Sequence, residues 1–551
     1  MHKLIATKSR KDVEKARKRL DGARLSVTMP GVMSGEYPAS EVLQRGFQLL
    51  SESRPRPALA LADLIMAQVS DVVDVHLLRA RALLEMEAVG LLDALVPVLL
   101  KAAPNNTGVL MVAARYYYLL GDASRSIGVT KQLLAVDANN VEALLHSELC
   151  FRYSGDTERA EKILLRCLKL SKESGTNQSE RVRQYAASLL RLANYKRLDE
   201  EGLQSLRAMH AQSEDPILQS QSAYALASQA AKSGDKDQEI TYLLAAKAME
   251  RTLWSIEASQ TEVLENYQAK LASQRDVFSG ASPLHQGDLP EASLQQAESQ
   301  MPVFILGLPR SGTTLMEQIL GGHSQVGQVG ESKAFSLAMD AVVPEYDKSW
   351  LLSEYPAGLD RLPQQAFADI RRYIEKHQRV FTDKPLYIDK ELSNFNYVGL
   401  MASLFPEAKF IHMDRAPMDI FLSCFRNSIP GVPQTASLEA MAEYYVYMKR
   451  LIGEWRDLLA DRLLIINYQE LVLEPEKFAR QAVEFLGVEF ELGMLDFHQR
   501  KNIVRTLSVD QVRQKIYTSS VEKWREYEEV LEPARAVMQA HGIPLQGVPY
   551  L

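Results

Sequence analysis

The sequence predicts a chain of two parts, an all-α solenoid of repeated helical units followed by an α/β domain with a mostly parallel sheet. Residues 37–272 read as successive helices with few Pro or Gly residues, and part of this region repeats with a period of 34 residues. After residue 300, short apolar runs of strand length alternate with amphipathic helices. A chain of 551 residues is also too long for one hydrophobic core, so more than one domain is expected.

The repeat is carried by pairs of residues that recur at a constant offset. Asn105-Asn106 recurs as Asn139-Asn140, and Gly121-Asp122 recurs as Gly155-Asp156, each 34 residues later. This is the tetratricopeptide period, in which each unit is a helix–turn–helix and the Gly-Asp pair falls at the turn. A single unit cannot bury its apolar face, so we expect a tetratricopeptide-like solenoid, with a generic helical bundle as the alternative.

Composition and the two ends of the repeat region set the domain bounds. Residues 1–36 form a basic N-terminal helix or extension, and residues 37–272 form the repeat domain. Breaks at Gly280, Pro283, Gly287 and Pro290 predict a linker over residues 273–300. The α/β domain then occupies residues 301–551.

Charge, hydropathy and cysteine content predict the compartment. The net charge is −7, which does not favour nucleic acid as a partner. No apolar run reaches the roughly 20 residues of a transmembrane segment, and residues 1–24 lack the apolar core of a secretory signal. Cys150, Cys167 and Cys424 have neither metal-ligand spacing nor a disulfide framework, so we expect a cytoplasmic protein.

The first strand of the α/β domain leads into a turn that has the pattern of an anion-binding loop. Residues 303–306 are strand-like and residues 315–321 helical, so the free amides and the dipole of the helix favour an anion at the turn. The spacing approaches a nucleotide P-loop, but Thr313 stands where that loop has its Lys, and Arg310 supplies a cation instead. The alternative is an ordinary Gly-rich turn. The candidate ligand-binding residues of the loop are Pro309, Arg310, Ser311, Gly312, Thr313 and Thr314.

Residues 309–314 resemble the 5'-phosphosulfate-binding loop of sulfotransferases that use 3'-phosphoadenosine-5'-phosphosulfate (PAPS). The resemblance is to a bacterial branch that carries tetratricopeptide repeats ahead of the catalytic domain and is related to the tyrosylprotein sulfotransferases. It covers about residues 300–535 closely. It implies a P-loop-like sulfotransferase domain that transfers a sulfuryl group from PAPS to an acceptor hydroxyl and requires no metal; no metal-ligand spacing is present in the sequence.

The resemblance also implies roles for residues elsewhere in the domain. After a strand at residues 409–413, Arg415 and Ser423 match the residues that hold the 3'-phosphate, and an Arg fork suits bidentate phosphate recognition. Asp414 stands where the family usually has a second basic residue; a Walker-B-like strand that holds Mg²⁺ is the alternative interpretation. Further cofactor contacts are expected from Tyr468, Arg513, Tyr517, Ser519 and Arg525.

The same resemblance implies the catalytic residues. Glu331 matches the general base, Lys384 matches a Lys that contacts the transferring sulfate, and Arg310 stabilises charge on the moving group. The alternatives are a surface carboxylate for Glu331 and an exposed loop residue for Lys384.

Two other functions and several acceptors stay open at this point. The chain can be read as a P-loop kinase or NTPase, or as a repeat scaffold with a degenerate sulfotransferase-like domain. A concave repeat surface suits a peptide or protein acceptor, while glycans and small phenols remain candidates. The oligomeric state is also open, a homodimer included.

Overall fold

The computed structural model describes residues 10–173, 178–253, 300–346, 364–429, 431–500, 504–506 and 508–546. Contacts within the chain define two units, Met1–Ile163 with Tyr373–Phe381, and Leu164–Arg372 with Thr382–Leu551. The linker predicted over residues 273–300 lies outside the described residues except for Gln300, so the predicted domain bounds stay a prediction.

The first unit is mainly helical and carries a β-hairpin near its start. Its elements are α1 (Arg10–Gly22), β1 (Arg24–Met29), β2 (Met33–Pro38), α2 (Ala39–Ser51), α3 (Pro55–Met66), α4 (Val73–Glu85), α5 (Val89–Ala102), α6 (Thr107–Leu119), α7 (Ala123–Val136), α8 (Val141–Tyr153) and the first part of α9 (Thr157–Glu173). Sequence reasoning missed the hairpin. Leu25 and Val27 are buried while their neighbours on β1 are exposed, a two-residue alternation that marks a strand.

The 34-residue pattern determines turns and helix starts in the first unit. Gly121 and Gly155 have φ values of +75° and +87°, a left-handed conformation that favours glycine. Side-chain caps recur at the same spacing, on Asn106, Asp122, Asn140 and Asp156. The helix–turn–helix character of these units is therefore clear, while the tetratricopeptide-like solenoid stays a prediction.

The second unit begins with further helices: the rest of α9, then α10 (Gln178–Tyr195), α11 (Glu200–Gln212), α12 (Pro216–Ser233) and α13 (Lys236–Leu253). Ala227 of α12 and Leu243 of α13 lie in one apolar cluster with Phe425, which belongs to the α/β region. Helices α12 and α13 therefore share a core with the α/β region that follows them.

The α/β region of the second unit alternates strands and helices. Its α-helices and strands are β3 (Met301–Leu306), α14 (Thr313–Leu320), β4 (Val326–Gly330), α15 (Ala334–Tyr346), α16 (Gln364–Gln378), β5 (Leu386–Asp389), α17 (Val398–Leu404), β6 (Lys409–Asp414), α18 (Pro417–Phe425), α19 (Leu438–Leu459), β7 (Leu463–Asn467), α20 (Tyr468–Leu473), α21 (Pro475–Leu486), α22 (Val509–Val512) and α23 (Glu532–Ala540). The part of α16 from Tyr373 onward belongs to the first unit. Short 3₁₀ helices span Leu392–Tyr397, Pro433–Ala436, Ala460–Arg462, Leu492–Gln499 and Lys523–Tyr527. None of the helices described in either unit is long and apolar enough to cross a membrane.

Strands β3 to β7 form one parallel sheet in the order β4-β5-β3-β6-β7, which confirms the predicted parallel sheet. The central strand β3 is buried over nearly its whole length, as expected of a strand with helices on both faces. The Phe304 ring on β3 packs against Phe335 and Phe410 at centroid distances of 5.6 and 5.4 Å. Strands β4 and β5 lie on one side of β3 in the sheet, and β6 and β7 lie on the other side. Ligands of such sheets bind at the carboxyl ends of the strands, at the point where the strand order reverses direction.

We predict that Leu243→Ala lowers the free energy of unfolding by about 2–5 kcal/mol, because it leaves a cavity in the core shared by α13 and the α/β region. Leu244→Ala on the same helix is the matched control, since Leu244 is 48% exposed and Leu243 only 2%. Denaturant unfolding of both variants measures the difference. Equal, small losses in the two variants would show that α13 does not share this core.

Candidate functional site

The C-terminal edge of the parallel sheet brings candidate residues together from all five strands. Strand β3 continues into the loop that starts at Gly307, while β6 and β7 end directly before Arg415 and Tyr468. On the other side of β3, strands β4 and β5 end directly before Glu331 and Lys390. Because parallel strands end at the same edge, segments distant in sequence meet there.

The loop after β3 is a tight turn that packs closely against other parts of the protein. A Cβ atom on Gly312, which has a φ of +103°, would lie 2.4 Å from Cδ2 of Tyr468. A Cβ atom on Gly307 would lie 2.5 Å from Oγ of Ser311. No side chain caps the N-terminus of α14, so its first amides remain available to an anion. The two glycines thus allow a tight turn in front of a helix start.

Arg310 links this loop to two other segments. It has a φ of +69°, a left-handed conformation that costs a residue with a side chain about 1–2 kcal/mol. Its Nε donates to Oγ of Ser423 at 2.8 Å, and its Nη1 donates to Oγ of Ser508 at 2.6 Å. These contacts hold the strained residue in place, with its guanidinium at the mouth of the loop.

Arg415 is a second buried cation beside Arg310. Its Nη1 donates to the Arg310 carbonyl oxygen at 2.8 Å, and its Nη2 donates to the Ser520 carbonyl oxygen at 3.0 Å. The guanidinium lies 4.3 Å from the ring centroid of Tyr468. Burial lowers the pKa of Arg310, and the charge of Arg415 lowers it further. The two cations repel each other, and a bound anion relieves that repulsion.

A pocket opens between the loop and the C-terminal segment. It is lined by Arg310, Gly312, Thr314, Leu315, Arg415, Tyr468, Val472, Phe497, Ser508, Gln511, Val512, Gln514, Ile516 and Tyr517. These described lining residues include two arginines and no carboxylate. Oγ of Ser311 and Nε of Arg415 are buried without a hydrogen-bond partner in the described part of the chain. Ser311 lies in the adjoining loop, whereas Arg415 lines the pocket, which therefore offers two cations and one unsatisfied donor to an anionic ligand.

A carboxylate and an ammonium form the other half of the site. The amide of Lys390 donates to the Gly330 carbonyl oxygen at 2.9 Å, which places the residues after β4 and β5 side by side. The Lys390 ammonium donates to Oε1 of Glu331 and lies 3.9 Å from Oε2 of Glu317. Burial acts to lower the pKa of Lys390, but the charges of Glu331 and Glu317 outweigh it, so the pKa is raised. The Glu331 side chain is 35% exposed and that of Lys390 1%, so only the carboxylate reaches solvent.

The structure does not bring Lys384 to this edge. Lys384 precedes β5 and lies at the opposite end of the sheet, where its ammonium donates to the Ser324 carbonyl oxygen. The strand begins only after Pro385, so it is Lys390 that follows the strand and contacts Glu331. Sequence reasoning missed Lys390. A charged residue directly after a short apolar strand was the available signal.

Asp414 is turned away from the loop. Its Oδ2 accepts a hydrogen bond from Nζ of Lys449 on α19 at 2.9 Å. Burial raises the pKa of Asp414, against the opposing effect of Lys449. In the part of the chain that is described, no group of three or more His, Cys, Asp or Glu side chains could hold a metal ion.

Of the four cofactor contacts predicted in the C-terminal segment, one lines the pocket and the other three do not. Tyr517 lines the pocket, and burial raises the pKa of its hydroxyl. Arg513 donates to the Arg500 carbonyl oxygen. Ser519 is exposed, as is Arg525, which pairs with Glu522 at 2.9 Å.

Neighbouring serines and a threonine of the same segment make contacts that were not predicted. The Ser520 hydroxyl lies 3.1 Å from the Tyr468 hydroxyl, and Thr506 lies 3.2 Å from Thr314, both measured between oxygens. With the bond from Arg310 to Ser508, these contacts fasten the segment over the loop. Their small hydroxyl side chains give no distinctive sequence signal.

Part of the α/β region is similar in sequence to known proteins. Residues 302–491 match the Sulfotransferase family. An uncharacterized protein of Aquifex aeolicus (strain VF5) is 34% identical over 253 residues, which cover 44% of this chain and 32% of that protein. A protein-tyrosine sulfotransferase of Drosophila melanogaster is 28% identical over 244 residues, which cover 41% of this chain and 47% of that protein. The chain thus spans less than half the length of these two relatives.

A solved structure shows a similar extent of match. The sulfotransferase domain from the Synechococcus PCC 7002 olefin synthase has 22% sequence identity and a TM-score of 0.32, and the match covers 46% of this chain and 98% of that domain.

We predict that Lys390→Met lowers the free energy of unfolding at pH 7 by about 3–5 kcal/mol, because Glu317 and Glu331 lose their buried counterion. Burial already raises the pKa of Glu317, and loss of the ammonium raises it further. A carboxyl whose pKa is raised in the folded state disfavours folding when ionised, so stability should recover as the pH falls through that raised pKa.

Urea unfolding at pH 7 and pH 5 measures this dependence. The double variant Glu317→Gln/Lys390→Met is the control, since it removes the buried carboxylate together with its counterion and should recover much of the loss. An equal loss for Lys390→Met at both pH values would contradict the assignment of Lys390 as the counterion.

Proposed function

We propose that the region of residues 302–491, which matches the Sulfotransferase family and is similar to a protein-tyrosine sulfotransferase, transfers a sulfuryl group from PAPS to an acceptor hydroxyl. The observation that carries the proposal is the pocket with two arginines, an unsatisfied buried donor on Arg415 and no carboxylate among its described lining residues. A donor with a 5'-phosphosulfate and a 3'-phosphate has the charge that such a pocket binds.

The residues of the pocket divide between the two ends of the donor. The backbone of the loop, the first amides of α14, Ser311 and Arg310 hold the 5'-phosphosulfate. Arg415, together with Ser423, holds the 3'-phosphate through charge-assisted hydrogen bonds. Tyr468, which already lies against the Arg415 guanidinium, offers an aromatic face to the nucleoside. When bound, PAPS supplies the activated sulfuryl group and a stable bisphosphate leaving group.

Glu331 acts on the acceptor. Its carboxylate reaches solvent beside the buried Lys390, so it can take the proton from an acceptor hydroxyl as general base. Lys390 holds this carboxylate in place and provides positive charge near the transferring group, the role that the sequence had assigned to Lys384. Arg310 offers positive charge from the side of the loop.

The acceptor that we propose is a tyrosine of a peptide or protein, by relation to the protein-tyrosine sulfotransferases. Incubation of the protein with PAPS and a panel of a tyrosine peptide, a glycan and a phenol tests both the reaction and the acceptor. Mass spectrometry should find the added SO₃ on the peptide. Sulfation of the glycan or the phenol alone would retain the reaction and overturn the acceptor, and no product with any member would count against the reaction.

We predict that Arg415→Ala weakens the binding of adenosine 3',5'-bisphosphate by about 2–4 kcal/mol, because it removes a charge-assisted contact to the 3'-phosphate. Isothermal calorimetry without Mg²⁺ measures this loss. Arg480→Ala is the control, since Arg480 forms a surface pair with Glu476. Binding of ATP only with Mg²⁺, and none of the bisphosphate, would favour a kinase or NTPase instead.

We predict that Glu331→Gln lowers turnover by roughly 10²–10⁴-fold and leaves affinity for adenosine 3',5'-bisphosphate nearly unchanged, because the amide cannot accept the proton. Glu391→Gln is the matched control; Glu391 lies at the same edge and pairs with Lys333 at 3.0 Å. Steady-state kinetics and calorimetry separate the two effects. Normal turnover in Glu331→Gln would assign the base to another residue, and a large loss of affinity would give Glu331 a role in organising the loop.

A further inference from the structure

Helix α13 places a buried ion pair against the α/β region. Nζ of Lys247 lies 3.1 Å from Oε2 of Glu250, and their side chains are only 6% and 7% exposed. The other oxygen of Glu250 accepts a hydrogen bond from Oγ of Ser428 at 2.6 Å, and the Tyr224 hydroxyl of α12 donates to Oε2 at 2.9 Å. A buried ion pair is tolerated only when further hydrogen bonds satisfy it, and one of these comes from the residues after α18.

Lys247 also starts a chain of contacts that ends at the pocket. Its ammonium donates to the Asn427 carbonyl oxygen at 3.2 Å, just beyond the C-terminus of α18, where the helix dipole favours a cation. Nδ2 of Asn427 donates to the Ser423 carbonyl oxygen at 2.8 Å. The Ser423 hydroxyl in turn accepts the bond from Nε of Arg310 at 2.8 Å. Each link is a direct hydrogen bond, so a shift of α18 reaches Arg310.

The start of α13 holds the C-terminal segment in a similar way. Oε1 of Glu239 accepts from Nε of Arg426 at 2.8 Å, and Oε2 accepts from the Tyr527 hydroxyl at 2.9 Å. The Lys236 ammonium lies 4.6 Å from the centre of the Tyr527 ring. The Glu522 amide donates to Asp419 of α18 at 3.1 Å. Helix α13 therefore contacts both segments that approach the loop from outside, α18 and the chain around residues 508–527.

We propose that α13 is the element that positions the anion pocket, with Lys247 as its principal positioning residue and Glu239 and Glu250 as its supports. The identity of the ligand in this inference rests on the function proposed above, while the positioning itself does not. Arg310 holds a left-handed conformation next to a second cation, and it keeps that place only while Ser423 and Ser508 keep theirs. The helical region thus controls affinity for the donor from a distance.

Lys247→Met tests the proposal, with adenosine 3',5'-bisphosphate as the probe in calorimetry on the full chain. We expect the dissociation constant to rise about tenfold, the size typical of coupling through packed elements. Lys247→Arg keeps the cation and should restore affinity. The matched control is Lys232→Met on α12, because the Lys232 ammonium also bonds carbonyl oxygens at a helix end, those of Asn194 in the last turn of α10 and of Lys196 just beyond it among them. It should lower the melting temperature and leave the affinity unchanged.

A double-mutant cycle separates positioning from a general loss of stability. In a Ser423→Ala background the chain of contacts to Arg310 is already broken, so Lys247→Met should weaken binding no further. A full additional tenfold loss in that background would overturn the proposal. Equal affinity of wild-type protein and Lys247→Met would overturn it as well.

A measurement without ligand tests the positioning even if the proposed donor is wrong. Hydrogen exchange of the amides of residues 307–314 should be faster in Lys247→Met than in the wild-type protein and in Lys232→Met. Failure of the wild-type protein to bind the bisphosphate would count against the proposed function. Unchanged exchange of the loop in Lys247→Met would count against the role of α13.

Discussion

The hydrogen bonds of Arg310 hold together the parts of the α/β region that meet at the pocket. The guanidinium donates to Ser423 of α18 and to Ser508 of the C-terminal segment, and the carbonyl oxygen accepts from Arg415 after β6. One strained residue thus fixes three segments that lie far apart in sequence. The left-handed conformation is sustained because all three contacts would be lost together if it relaxed.

Charge is divided along the edge of the sheet. Arg310 and Arg415 lie on the side of β6 and β7, where no carboxylate lines the described pocket. Glu331 and Lys390 lie on the side of β4 and β5, where opposite charges offset each other. Strand β3 lies between β5 and β6 in the sheet. The arrangement places a carboxylate at the same edge of the sheet while the described lining of the pocket carries none.

The strand, turn and helix around residues 303–321 could be predicted from sequence because a local pattern encodes them, as could Arg415 after its strand. Lys384 was assigned by the family resemblance, which did not fix where β5 begins; β5 is only four residues long and starts after Pro385. Ser508 and Ser520 could not be found because their contacts depend on long-range folding of the C-terminal segment. The role of α13 in the α/β core was missed for the same reason, since helical periodicity shows a buried face but not its partner.

The strand order also bears on how the chain folds during synthesis. In the first unit, turns and caps form between residues close in sequence, so its helices can fold soon after they leave the ribosome. Strand β3 instead pairs with β5 and β6, which follow it by about 80 and about 100 residues. Until β5 and β6 have been synthesised, the apolar strand β3 has no strand to pair with. During this interval, aggregation or chaperone binding competes with folding.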